Sequence, residues 1–297
     1  MKTHKTNHLK LPQTKSAYLE FCMSIVFGLC ALLCVFAVGM ICVFLFVNAI
    51  PTIAKIGFSD FIFGTSWSPL IGEFGIFPMI VGSIYITALA IVFGVPIGVL
   101  SAIYMAYFCP KPLLRFFTPC IELLAGIPSI VYGFFGLIVI VPIVGEVFDT
   151  SGKGLLSASI LLAMMILPTI ILVSKTSIQA VSKSYFEGAL ALGATQERAV
   201  FFVVIKDAKS GILASVILGI GRAIGEAMAV IVIAGNQAII PESISDGVRT
   251  LTTNIVLELG YAEGLHRDVL IASSVVLFVF ILGINLCFNA LKMEKKK

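Results

Sequence analysis

The chain has 297 residues, of which 59% are hydrophobic and 12% charged, and its net charge is +4. Soluble domains run at about 45–50% apolar and about 25% charged residues. The composition therefore excludes an ordinary soluble domain and indicates a protein embedded in lipid. Six apolar runs reach the roughly 18 residues that a helix needs to cross a bilayer: 21–47, 80–108, 119–144, 156–174, 210–235 and 269–291. Each is a continuous apolar block with no period-two alternation, so the backbone must satisfy its own hydrogen bonds as a helix. The expected fold is all-α, a polytopic membrane protein with six transmembrane helices. The first run follows about twenty polar residues and is too long for a signal-peptide core, so it reads as an uncleaved anchor.

Charge placement gives the expected orientation. Fifteen basic residues fall before run one, between runs two and three, between runs four and five, and after run six; they include Lys2, Lys5, Lys10, Lys15, Lys111, Arg115, Lys175 and Lys183. Only Lys55, Lys153, Arg249 and Arg267 fall in the other connections. The positive-inside rule then places both termini in the cytoplasm. The basic tails are short and explained by topology, which leaves no case for nucleic acid. The seven cysteines form no CxxC pair and read as small apolar filler. His4 and His8 lie in the basic tail and His266 stands alone, so no metal site is expected.

In chain order, segment 48–77 is rich in aromatics, among them Phe58, Phe61, Phe63, Trp67, Phe74 and Phe77. It reads either as an interfacial aromatic belt or as a docking surface for an external partner. Pro96, Pro128, Pro142 and Pro168 punctuate the middle runs, and each removes a donor and tends to kink a helix. Gly126-Ile127-Pro128-Ser129 is expected to interrupt the third run. Segment 175–209 is the longest cytoplasmic connection: Ser184 with Glu187 reads as a capping box, Gly193 as a helix stop, and Thr195 to about Ile205 as a second helix.

The fifth run carries a polar interruption, Gly221-Arg222-Ala223-Ile224-Gly225-Glu226. A charge at the bilayer centre costs about 2.5 kcal/mol or more, so two of them imply a partner or a task. Four positions apart, Arg222 and Glu226 would share one face of a helix. Gly221, Gly225 and Ala229 form a small-xxx-small stripe suited to close helix packing. The pair reads either as a charged route or gate for an anion, or as a structural bridge between helices. Glu122 reads as an interfacial residue pointing to water.

Glu187-Gly188-Ala189-Leu190-Ala191-Leu192-Gly193, followed after nine residues by Val203-Val204-Ile205, resembles the EAA loop of binding-protein-dependent ABC importers. Gly188 stands where Ala is usual, and Lys206 where Pro is usual. The segment from Gly82 to Tyr104 resembles the opening of the importer core, that from Leu124 to Leu137 resembles the signature of phosphate permeases, and Gly221 to Val230 is similar to the PstC-type subunit. The resemblance implies a MetI-like permease core over 75–291, preceded by a tail (1–20) and by a first crossing with its external loop (21–74), and followed by a tail (292–297). Glu187, Gly188, Ala189 and Gly193 would then couple to an ATPase through the 175–209 loop.

The chain has no GxxxxGK[ST] phosphate loop, so no cofactor is expected on it; ATP and Mg²⁺ would be used by a partner ATPase. The implied function is that of a permease subunit of an ATP-driven inorganic phosphate importer in the bacterial inner membrane. Its implied partners are a PstA-type second permease, an ATPase dimer and an external phosphate-binding protein. An importer permease for phosphonate, sulfate or molybdate is the alternative, and a secondary anion carrier a further one. A membrane enzyme is disfavoured because no His lies in any run.

Overall fold

The computed structural model describes residues 15–294. Lys2, Lys5, Lys10, His4, His8 and the last three lysines of the sequence reading lie outside the described residues. The chain divides into two units after Asn48. The first unit holds most of α1 (Lys15–Ile56), whose apolar side chains are nearly all exposed, as suits a helix solvated by lipid.

The second unit begins with the end of α1 and α2 (Phe58–Phe63). A hairpin of β1 (Trp67–Ser68) and β2 (Glu73–Phe74) follows, pairing Trp67 with Phe74 and Ser68 with Glu73. Next come α3 (Phe77–Ile103), extended by a π-helical turn to Phe108, and α4 (Lys111–Gly126). α5 (Ser129–Phe135) continues through a π turn into α6 (Val141–Phe148), and α7 (Leu155–Gln179) leads to the short α8 (Lys183–Ala191). α9 (Gln196–Ala199) runs through a third π turn into α10 (Ile205–Gly225); α11 (Met228–Ile233), α12 (Leu251–Glu258) and α13 (Gly264–Glu294) complete the chain.

Among the described residues, five helical stretches are long and apolar enough to span a bilayer: Tyr18–Ile56, Phe77–Phe108, Ser129–Phe148, Leu155–Gln179 and Gly264–Cys287. The fifth expected run is divided into α10 and α11, with Lys206, Asp207, Lys209 and Arg222 on α10. The third expected run is also displaced. Residues 111–126 form a separate amphipathic helix with no buried residue, and the spanning stretch starts only after the break at Ile127 and Pro128.

α7 is the centre of the unit. In its most apolar window 61% of residues are buried, against 28–39% for the other spans of this unit. Its Leu161, Leu162, Met165, Ile166 and Ile170 build the main core with Ile86 and Ala90 of α3 and Ala223 of α10. Glycine makes the approach possible: a Cβ on Gly94 would sit 2.9 Å from Ile166 Cδ1, and one on Gly98 2.8 Å from Ile170 Cγ2. Fully burying one such aliphatic side chain is worth about 1.5–3 kcal/mol against water. Inside lipid the gain comes instead from close van der Waals contact, which small residues permit.

Proline proves a poor guide to the breaks. Pro96 and Pro168 sit inside α3 and α7, which continue through them. Pro128 does mark an interruption, and Pro142 follows the π turn in which the Val141 N–H reaches back five residues to Gly136 O. The second interruption, at Glu226 and Ala227, contains no proline.

Candidate functional site

The break after Gly225 decides the geometry of the two charges. Glu226 has φ −75° and ψ 126°, extended values that end α10 before Glu226 can share a helix face with Arg222. This corrects the one-face expectation, and energetics explain why. An i,i+4 ion pair contributes about 0.2–0.5 kcal/mol, whereas satisfying an orphan N–H at a helix start contributes about 1 kcal/mol. Glu226 Oε1 takes the second option and accepts a 3.1 Å bond from the Ala229 N–H in the first turn of α11. Arg222 meanwhile lies in the last turn of α10. Each charge therefore stands at the helix end whose dipole favours it, the cation at a C-terminus and the carboxylate at an N-terminus.

Arg222 is half-buried, and its Nη1 donates to Thr169 Oγ1 of α7 at 3.2 Å. Among the described residues no carboxylate lies within ion-pair distance of it. A buried charge is normally paired, so a cation held only by a neutral hydroxyl keeps its charge available to an anion. The two interruptions lie in one layer: α5 and α11 pack together, with Gly133 against Ala229, where a Cβ on Gly133 would be 3.2 Å from Ala229 Cα. Tyr132 of α5 donates to Leu124 O at 2.8 Å and so ties α5 back to α4 across the first break. Of the small-residue stripe, Ala229 is fully buried, while Gly221 and Gly225 face open space within this chain. Glu122 is exposed.

A second polar cluster gives no local sequence signal. Glu258, at the end of α12, is 6% exposed, and four contacts converge on its carboxylate. Arg249 Nη1 donates to Oε1 at 2.7 Å, His266 Nε2 lies 2.8 Å from Oε2, and Trp67 Nε1 donates to both oxygens at 3.1 and 3.0 Å. His266 thus does not stand alone; Trp67, Phe74 and Tyr261 also pack around its ring. The same cluster divides the aromatic segment: Phe61, Trp67 and Phe74 are buried, whereas Phe58 and Phe63 are exposed with Leu70 and Ile71 at the hairpin tip.

α12 joins this cluster to the charged break. Its first turn carries a capping box between Thr250 and Thr253, and the Leu251 N–H donates to Ser83 Oγ of α3 at 2.9 Å. Thr252 Oγ1 donates to the backbone oxygen of Glu226 at 3.0 Å. One end of α12 therefore holds the break and the other holds the Trp67 hairpin.

At the opposite end of α3 and α7, α8 carries Glu187, Gly188 and Ala189 and buries none of its residues. The expected box at Ser184 is absent. α8 starts two residues earlier, at Lys183, with Ser182 as its cap, and the Ser182 and Ser184 hydroxyls engage each other at 2.7 Å instead of the helix N–H groups. Gly193 does stop the helix: at φ 85° its N–H reaches Leu190 O, and the Ala194 N–H reaches Ala189 O. That double closure is a Schellman motif, which glycine adopts without Cβ strain. Thr195 caps α9 by accepting from the Arg198 N–H. Phe186 packs on Tyr107 at 5.0 Å, and a cavity of about 440 Å³ lined by Tyr107, Gln179, Lys183 and Glu187 separates α8 from the ends of α3 and α7.

Comparison with known proteins agrees with this architecture. Residues 94–292 match the family model described as the binding-protein-dependent transport system inner membrane component. The chain is 38% identical over 268 residues to the probable ABC transporter permease protein YqgH of Bacillus subtilis, covering 86% of each chain. It is 34% identical to the phosphate transport system permease protein PstC of Mesorhizobium japonicum, covering 84% of this chain and 82% of that one. In fold it is similar to a chain of the MetNI methionine ABC transporter in an inward-facing conformation, with TM-score 0.61 and 18% identity over 77% of this chain and 99% of the other. The chain belongs to the family of binding-protein-dependent inner membrane transport components, as a multi-pass ABC permease subunit with a MetI-like fold and not an enzyme, ATP hydrolysis being the work of a separate subunit.

Proposed function

We propose that this chain is one of two permease subunits of an ATP-driven importer of inorganic phosphate, and that Arg222 is the cation phosphate meets within the bilayer. The observation that carries the reading is the state of Arg222: half-buried, bonded to the neutral Thr169, with no carboxylate in ion-pair distance among the described residues. A guanidinium is always charged and offers a planar fork of donors that fits phosphate oxygens. The similarity to PstC permeases supports phosphate as the anion. Glu226, four residues on, sets an opposing charge beside the path, which favours release over tight capture.

The charge asymmetry of the connections supports an orientation with both termini and α8 in the cytoplasm of a bacterial cell and the Trp67 hairpin outside. The exposed α8, with Glu187, Gly188, Ala189 and the Gly193 stop, is then the element that engages an ATPase dimer. The open face at Gly221 and Gly225 suits close contact with a PstA-type second permease. Segment 48–77 and the α12–α13 connection would face an external phosphate-binding protein. ATP and Mg²⁺ act on the ATPase, and this chain's part is to bind, gate and transmit movement.

The test is phosphate uptake by cells lacking their own high-affinity system and expressing this chain with its partner permease, ATPase and binding protein. The native chain is expected to support uptake. Arg222→Gln is expected to assemble but to lower uptake by about tenfold or more, the worth of a charge-assisted contact. Normal uptake by Arg222→Gln would remove Arg222 from the path. Uptake of phosphonate, sulfate or molybdate in place of phosphate would keep the importer and reject its substrate.

A further inference from the structure

Six hydroxyls in the helices of this chain are used alike. Ser83, Ser159, Thr176, Ser177, Ser273 and Ser274 each donate to the carbonyl four residues back. Thr169 and Thr118 do not. Thr169 accepts from Arg222, and Thr118 accepts from Lys175 Nζ at 3.0 Å. Among the described residues neither hydroxyl spends its own hydrogen. In both places a cation of one helix meets a threonine of another, and α7 supplies one member of each pair. Thr169 and Lys175 are six residues apart, about 9 Å along the axis of α7.

Lys175 has the same incomplete pairing as Arg222. It is half-buried, and no carboxylate lies within ion-pair distance among the described residues. An ammonium has three donors, and the protein takes up one of them here. A lysine that served only to fix topology would extend its head into water; this one turns onto α4. There Lys111, Arg115, Thr118 and Glu122 recur at spacings of four, three and four, so they share one face of an amphipathic helix. Arg115 lies one turn from Thr118 on that face.

We propose that Lys175 and Thr118 form a second oxyanion station, between Arg222 and the α8 end of the path. The lysine offers its remaining N–H donors and the threonine its free O–H to the oxygens of an anion passed on from Arg222, and Arg115 adds a positive field. The inference rests on the oxyanion-importer reading above and extends it to a residue pair outside the fifth run. Two weak stations in series suit a path that must both admit and release its ion.

The experiment uses the complete assembly, with its partner permease, ATPase and binding protein, in proteoliposomes. Initial rates of inorganic phosphate uptake are measured for native, Lys175→Gln, Thr118→Val and the double variant. Lys175→Gln is expected to lower the maximal rate about tenfold and Thr118→Val about threefold, with the double variant no worse than Lys175→Gln, because contacting residues are not additive. Lys175→Gln combined with Thr176→Lys keeps the number of basic residues at that end and controls for topology; it is expected to stay slow. Recovery of the native rate in that variant, or a native rate in Lys175→Gln, overturns the station. Where a variant assembles poorly, Thr118→Cys, which keeps Lys175 beside it, in a chain cleared of its seven native cysteines is labelled with a thiol reagent. Protection by phosphate but not by chloride supports the station, and equal labelling in both overturns it. If the native assembly imports neither phosphate nor phosphonate, sulfate or molybdate, the importer reading fails and the station falls with it. If only the Lys175 results fail, the importer reading stands.

Discussion

At the residue scale the consequential events are small polar choices. Glu226 could have paired with Arg222 across one helical turn, but the chain breaks and the carboxylate caps α11 through the Ala229 N–H. Glu226→Ala is expected to destabilise the assembly by about 1 kcal/mol through the lost acceptor. Glu226→Gln keeps an amide oxygen in reach and is expected to cost less. Thermal unfolding of the two purified variants distinguishes them, and equal losses would mean that charge, not the acceptor, matters. Arg222 is different in kind. Its bond to Thr169 leaves a half-buried charge with no carboxylate partner among the described residues, the state from which the proposed anion contact is argued. The residue types at 222 and 226 were legible as special, because charges are costly in an apolar run. Their geometry was not, because competition between an ion pair and a cap is settled by backbone conformation.

At the element scale, α12 and the α3–α7 contact hold the unit together. Glu258 receives Arg249, His266 and Trp67, residues up to 191 positions away, so no window of sequence could show the cluster. Removing one partner of a buried ionic group costs about 3–5 kcal/mol. Glu258→Ala is therefore expected to release the β1–β2 hairpin. Trp67 is the sole tryptophan of the chain, so its emission should shift to the red; an unchanged spectrum would show that the hairpin is held by its packing alone. Through Thr252 on the Glu226 carbonyl, the same change is expected to loosen the break. At the α3–α7 contact, Gly98→Leu would drive a side chain into Ile170, whose Cγ2 lies 2.8 Å from the first added carbon. Overpacking of this kind costs about 1–3 kcal/mol, and a lower yield of folded chain from membranes is the expected outcome. Gly94 and Gly98 stand four apart in the chain, but the helix that packs on them, α7, lies some seventy residues away.

At the scale of the whole molecule, the charged break, α12 and the exposed α8 occupy different levels of one helical unit built around α7. α8 buries nothing, so a substitution on it has little effect on folding. Glu187→Ala is expected to change stability by less than about 0.5 kcal/mol, as for surface sites generally, while uncoupling ATP hydrolysis from uptake. Assays of ATPase activity and of transport in the same proteoliposomes check this. A parallel loss of both folding and transport would place Glu187 in the structure instead of the coupling.

The sequence alone determined the class of this protein: all-helical, multi-pass, with a short helix stopped by Gly193 in its longest basic connection. It could do so because length and apolarity fix a spanning helix with no reference to neighbours, and a left-handed glycine stop is local chemistry. Tertiary structure decided where the helices break. Pro96 and Pro168 are carried within continuous helices, while a proline-free Glu226 ends one. It also decided which polar groups meet, joining Trp67 to Glu258 and Lys175 to Thr118 across long separations in the chain. In a low-dielectric interior an unmet donor or charge is costly wherever it falls in sequence, so each such group is answered by whatever the packed helices bring beside it.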